Sequence, residues 1–233
     1  MSEHDRYPLT RAGVVRGARL SLPLGLASAI VGAGFGVAAR HAELPLWAAL
    51  LMSGAVYAGA SQYAALALWQ APLPFVPIWL STLAVNARFS LLSASLAPWL
   101  SHYRGWVPWV AIAGLGEGQW AVGTQAEARG DRDIGVILGS SLVVWTTWMA
   151  GTAGGVIVSP LLGDPRRFGL DLVLVMFFAG TLTSAWRGPR DLLPWGAAAL
   201  ATRLPASIVA PEWLVIVAAL VGAIVGAWRD TRA

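Results

Sequence analysis

From Leu44 to Ala87 the chain runs for 44 residues without an Asp, Glu, Lys or Arg, and the next residue is Arg88. One membrane-crossing helix needs roughly 20 apolar residues, so the run is long enough for two. It carries a polar cluster, Tyr57-Ala58-Gly59-Ala60-Ser61-Gln62-Tyr63, and Asn86 stands just ahead of the arginine. Arg88 is therefore predicted to lie within or at the edge of a membrane core. An ionisable group there costs roughly 2.5–3.5 kcal/mol on insertion scales, and marks a functional position by default.

The rest of the chain agrees with a membrane setting. Of its 233 residues, 57% are hydrophobic and 12% charged, whereas soluble domains carry about 25% charged residues. The fold class expected is all-α, a polytopic transmembrane helix bundle. Breaks in the apolar pattern place about eight spans, at 18–39, 45–69, 76–100, 107–126, 134–159, 169–187, 191–209 and 212–228. Residues 1–17 form an N-terminal tail, 18–228 a single transmembrane domain and 229–233 a C-terminal tail. Leu20 to Ala39 is too long for the core of a cleaved signal peptide, about 7–15 residues, and reads as a retained first helix.

All sixteen basic residues are arginine, giving a net charge of +4. In so apolar a chain this excess reads as topology signal and not as nucleic-acid binding. With both termini inside, ten arginines fall on the inner side (Arg6, Arg11, Arg16, Arg19, Arg129, Arg132, Arg187, Arg190, Arg229 and Arg232). Four fall outside, namely Arg40, Arg104, Arg166 and Arg167. A re-entrant fourth segment would flip everything after it. The expected location is the plasma (inner) membrane, multi-pass, with cytoplasmic termini. Trp47, Trp69, Trp99, Trp106, Trp186, Trp213 and Trp228 sit near span ends, as interfacial anchors do. Trp120, Trp145 and Trp148 fall deeper.

Two halves echo each other faintly. Gly32-Ala33-Gly34-Phe35-Gly36 followed by Tyr57-Ala58-Gly59 resembles Ala153-Gly154-Gly155 followed by Phe178-Ala179-Gly180, both at an offset of 121 residues. In eight spans such a repeat would be parallel, and an inverted one would require a non-spanning segment between the halves.

The candidate substrate-binding residues are Tyr57, Gly59, Ser61, Gln62, Asn86 and Arg88. On a continuous helix Tyr57 and Ser61 would share one face with Gly54 and Ala58, while Gly59 and Ala60 would let a backbone approach or the helix break. A planar guanidinium fits a substrate carboxylate with two parallel bonds. The bland alternative has Gln62 and Asn86 bonding between helices and Arg88 reaching an interface. Glu117, within Gly114-Leu115-Gly116-Glu117-Gly118-Gln119-Trp120, is a candidate for proton coupling or for an ion pair with Arg88 or Arg203. Arg203 itself reads as structural. No cysteine, no glycine-rich phosphate loop with lysine, and no cluster of His, Asp and Glu is present. The expectation is therefore no cofactor, no metal and no ATP hydrolysis by this chain.

At the Tyr57–Gln62 run the sequence resembles the AzlC family, the large subunits of two-component branched-chain amino acid exporters of the YgaZ type. Asn86-Ala87-Arg88 resembles the family's Asp-x-Arg-His, and Gly114-Leu115-Gly116-Glu117 its Gly-Leu-Thr-Asp-Glu. Here Asn86 and Phe89 stand where the family commonly has Asp and His, and Glu117 is the one acid kept of two. The resemblance implies a non-enzymatic secondary transporter that exports branched-chain or related hydrophobic amino acids. It also implies a small AzlD-type membrane subunit as partner. The alternatives are a membrane-embedded lipid-modifying enzyme, for which Ser61 without a span histidine is a poor nucleophile, and a non-catalytic membrane scaffold.

Overall fold

A computed structural model describes residues 7–161, 179–180, 182–183, 186, 188–204 and 213–230. These residues are all-helical, without a strand. The first apolar segment is two helices, α1 (Arg11–Leu20) and α2 (Leu22–His41), bent at Ser21 just ahead of Pro23. Thr10 caps α1 by accepting from the Gly13 amide at 2.9 Å, and is held in turn by the Asp133 carboxylate.

The second segment is broken. Helix α3 (Leu46–Val56) stops at Tyr57, which takes the left-handed conformation (φ 45°, ψ 39°), and α4 (Gly59–Ala67) begins two residues later. On one continuous helix Ser53 and Gln62 would stand about 13 Å apart along the axis. Instead Gln62 Nε2 reaches Ser53 Oγ at 3.0 Å, so the chain turns back on itself. Ala49 on α3 belongs to one buried cluster with Phe35, Ala39, Leu44 and Val156, and Leu66 on α4 packs against that cluster, so the hairpin enters and leaves on the side where α2 ends.

Helix α5 (Phe75–Leu100) is a full crossing of 26 residues, about 39 Å long. At its far end Trp99 Nε1 donates to Asp131 O at 3.2 Å and the Tyr103 hydroxyl to Arg132 O at 3.0 Å. Burial and the nearby Asp133 and Asp131 carboxylates push the Tyr103 phenol well above its ordinary range, which keeps it a donor. Residues 99–103 and 131–132 thus lie on one face, and the segment between them goes in and comes back out. It consists of α6 (Val107–Ala113) and α7 (Glu117–Ala128), separated by Gly114-Leu115-Gly116. Ala111 on α6 belongs to the buried cluster that includes Ile137, and a Cβ on Gly123 of α7 would meet Ile137 Cδ1 at 2.9 Å. The two half-helices therefore sit side by side in depth.

The third full-length apolar helix is α8 (Gly135–Val158), extended by a 3-10 turn to Leu161. It runs parallel to α1 and α2: Gly17 faces Val136, Ser21 Oγ bonds Ser140 Oγ at 2.6 Å, Gly32 faces Trp148 and Gly36 faces Thr152. The backbones touch because glycine supplies the contact. A Cβ on Gly36, Gly139, Gly151 or Gly155 would run into a carbonyl oxygen of the facing helix, the small-residue packing that brings membrane helices together. Helices α9 (Leu192–Ala201) and α10 (Leu214–Asp230) pack antiparallel, with Arg229 Nη1 donating to Arg190 O at 2.7 Å.

The eight-span expectation changes accordingly. Among the described residues three helices are long and apolar enough to cross: Leu22–His41, Phe75–Leu100 and Gly135–Leu161. The segments at 45–69 and 107–126 are re-entrant hairpins from opposite faces, and their apolar length serves two half-helices each. Two such hairpins restore the direction of α8, so nothing after them is flipped. The span at 169–187 lies largely outside the described residues, as do Arg166, Arg167 and Phe178. The face carrying the N-terminus holds Arg11, Arg16, Arg19, Arg104, Arg129 and Arg132, and up to residue 161 the opposite face holds Arg40. Arg104 thereby moves to the N-terminal side.

The α2 and α8 segments of the faint echo do lie parallel and in contact. A second relationship is inverted: α3-α4-α5 is a hairpin followed by a crossing, and α6-α7-α8 is the same unit entering from the other face. At the two apexes Gly59-Ala60-Ser61-Gln62 and Gly116-Glu117-Gly118-Gln119 share a Gly-x-x-Gln spacing.

Candidate functional site

The hairpin apexes meet beside the middle of α5, where Arg88 stands 13 residues from one helix end and 12 from the other. Between them is a cleft of about 250 Å³. Its polar side is formed by Tyr57 and Gly59 from the first apex, Arg88 from α5, and Glu117 and Gln119 from the second. Its apolar side is Leu24 and Val31 of α2, Phe89 of α5, and Val144 and Trp148 of α8.

Broken helices leave backbone groups without intrahelical partners, and in a membrane each needs another. Ser141 on α8 attends to both breaks. Its hydroxyl donates to Gly114 O at 2.9 Å, and its carbonyl accepts a long bond of 3.4 Å from the Tyr57 hydroxyl. Ser61 Oγ donates to Ala58 O at 2.9 Å. Gln119 Nε2 donates to the Tyr57 hydroxyl at 2.7 Å, joining the apexes directly. Neither α4 nor α7 has a side-chain cap on its first turn, and Gly59, Ala60, Gly116, Glu117 and Gly118 line the cleft, so the positive dipole end of each half-helix lies beside it.

Arg88 Nη1 and Glu117 Oε1 lie 2.6 Å apart. The side chains are 32% and 58% exposed, so the pair borders open space and is not locked in a core. The Arg88 guanidinium also stands 5.2 Å from the centre of the Phe89 ring. Glu117 occupies the first position of α7, where the helix dipole favours a carboxylate.

Among the described residues three buried side-chain atoms lack a hydrogen-bond partner: Gln62 Oε1, Asn86 Oδ1 and Arg88 Nε. Buried polar atoms are nearly always paired, so each such exception asks for an explanation. Of the residues singled out by sequence, Tyr57, Gly59, Arg88 and Glu117 line the cleft. Ser61, Gln62 and Asn86 do not. The shared helical face expected for Tyr57 and Ser61 does not exist, because the helix breaks between them. Ser61 is buried with its hydroxyl turned back to Ala58, and Gln62, fully buried, supports the apex from behind.

Behind the cleft a small network fixes the apolar wall. Trp148 Nε1 donates to Ser53 Oγ at 3.2 Å, and Gln62 Nε2 donates to the same oxygen. Ser53 Oγ, having accepted twice, has its one proton for Thr152 Oγ1 at 3.0 Å. Trp148 is thereby held over Gly59, whose Cβ, if present, would lie 2.8 Å from the ring. Sequence reasoning missed Gln119, Ser141 and the cleft role of Trp148. The available signal was the Gly-x-x-Gln spacing at Gly116–Gln119, repeated from Gly59–Gln62. Among the described residues no three His, Asp or Glu side chains converge as metal ligands.

Half-helices entering from both faces and meeting at a charged cleft midway through the membrane are the construction of a transport protein. A family model described as AzlC protein matches residues 23–162, which takes in α2 to α8 and both hairpins. The chain belongs to the AzlC family, whose members are components of branched-chain amino acid transporters. No curated protein and no solved structure matches it.

Proposed function

We propose that the protein is a secondary transporter that exports branched-chain or related hydrophobic amino acids across the plasma membrane, with the cleft at the hairpin apexes as the substrate site. The observation that carries this reading is the Arg88–Glu117 pair at 2.6 Å beside two half-helix N-termini. An α-amino acid carries the same two charges on one carbon. Its carboxylate would take the Arg88 guanidinium, together with the N-terminal end of α4 or α7. Its ammonium would take Glu117. The Arg88–Glu117 contact is then what the empty site makes with itself, and substrate replaces it with two contacts of the same sign. An aliphatic side chain would face Leu24, Val31, Val144 and Trp148.

The surplus of arginine on the N-terminal face supports a cytoplasmic N-terminus. The partner proposed is a small AzlD-type membrane subunit, as the resemblance implies. Glu117, as the titratable group of the site, is the candidate for proton coupling. The test is efflux of labelled leucine from vesicles containing the chain and its small subunit. Wild type is expected to release label down a gradient, and Arg88→Ala is expected to fall to the level of empty vesicles.

A further inference from the structure

A second cavity, of about 420 Å³, meets the central cleft at Leu24 and Gly118, which line both. From there it runs along α7 past Ala121, Val122 and Gln125 and ends at Arg16, Arg129 and Asp131 on the N-terminal face. Helix α7 has 12 residues and so covers about 18 Å, or roughly half of a bilayer. The cavity thus extends over the whole distance from the central site to one membrane surface. On the other side Trp148 lies against Gly59, and behind it the buried Phe35 and Tyr63 rings pack edge to face at 5.7 Å.

We propose that this second cavity is a water-filled passage between the central site and the N-terminal face, and that the Leu24 side chain resting on Gly118 is its inner barrier. The proposal rests on the central cleft being the amino-acid site. The barrier is one side chain over bare backbone: a Cβ on Gly118 would lie 3.1 Å from Leu24 Cδ1, so a rotamer change of a single leucine opens or shuts the way. Along α7 the wall is Gly118, Ala121, Val122, Gln125 and Ala126, with Gln125 as its polar group, and Leu20, Leu24 and Val136 complete it. The mouth is spanned by the Arg16 Nη2–Asp131 Oδ2 pair at 2.6 Å, whose arginine is 45% exposed. An exposed pair of this kind holds weakly and separates readily. Positive and negative groups at both ends of the passage match a zwitterion that carries one of each.

The chain has no cysteine, so single cysteines report their own surroundings. Ala121→Cys, Val122→Cys and, as a control on the exposed side of α2, Leu26→Cys would be treated in sided vesicles with a charged, membrane-impermeant maleimide. The reaction needs a thiolate and hence water. Ala121→Cys and Val122→Cys are expected to react from the N-terminal face at least tenfold faster than Leu26→Cys. Leucine efflux is expected to fall at least tenfold in Ala121→Trp, which plugs the passage away from the central cleft, with leucine still bound by the purified protein. Leu24→Ala is expected to speed aqueous labelling of Ser28→Cys in the cleft from the N-terminal face at least tenfold. Reaction of the two α7 cysteines with a membrane-permeant maleimide alone would mean a lipid-filled groove and would overturn the passage. Unchanged labelling of Ser28→Cys in the Leu24→Ala protein would overturn the barrier, and wild-type efflux from Ala121→Trp would overturn the passage as the substrate's route. Rapid aqueous labelling of the two α7 cysteines, with no leucine moved by the wild-type protein, would uphold the passage as water-filled and remove the amino acid as its cargo.

Discussion

Gln119 Nε2 donates to the Tyr57 hydroxyl across 2.7 Å, and this bond ties together two hairpins that enter from opposite faces. Tyr57 holds a left-handed backbone that costs a side chain of its size about 1–3 kcal/mol, so its contacts must more than offset that strain. Gln119→Leu and Tyr57→Phe are each expected to destabilise by about 1 kcal/mol, lowering the melting temperature in detergent by roughly 2–4 °C. The double variant is expected to lose less than the sum. Strict additivity in that cycle would mean that the bond does not couple the apexes.

The re-entrant path makes a sided claim. Residues 101–106 and 129–132 flank the α6–α7 segment and lie on the same face. With no native cysteine, His102→Cys and Gly130→Cys are expected to react with an impermeant maleimide from the same side. Reaction from opposite sides would restore a fourth crossing.

Much of this was legible in the sequence, and the reasons for the rest are specific. A charge-free run ending in Arg88, the Tyr57–Gln62 cluster and an acid among glycines marked four of the five residues on the polar side of the cleft. The reversal of direction was not legible, because about 25 apolar residues satisfy a crossing and a pair of half-helices equally well. What decides is tertiary: Ser141 answers the Gly114 carbonyl and the Tyr57 hydroxyl from a helix some 30–80 residues further on. Ser61 misled for the same reason, since helical spacing across a break carries no information about a shared face, whereas Gln62 bonds from one half-helix to the other, as the bland alternative has it.

The close packing of α2 on α8 separates two adjacent glycines. A Cβ on Gly155 would collide with the Ala33 carbonyl, while nothing lies within 4 Å of one on Gly154. Gly155→Val is expected to cost about 1–3 kcal/mol by overpacking and to lower the yield of folded protein. Gly154→Ala is expected to be silent in both yield and melting temperature. Equal behaviour of the two would contradict the observed register of the helices.

Trp148 sets the apolar end of the cleft and is pinned by Ser53. Trp148→Phe removes that bond and part of the wall, so competition assays are expected to shift toward bulkier side chains such as phenylalanine. Gly59→Ala presses on the ring at 2.8 Å and is expected to shift preference toward valine and alanine. An unchanged order of preference in both variants would take Trp148 out of the substrate site.

The pairing of Arg88 with Glu117 is the centre of the functional reading, and substrate-dependent exchange in proteoliposomes tests it most directly. Labelled leucine would be exchanged against unlabelled leucine by wild type, Arg88→Ala and Arg88→Lys, each with the small subunit and each checked for a native melting transition. Wild type is expected to exchange, Arg88→Ala to lose at least tenfold, and Arg88→Lys to fall between, since lysine keeps the charge without the planar fork. Exchange by a folded Arg88→Ala protein at the wild-type rate would contradict the assignment of the substrate's carboxylate to Arg88.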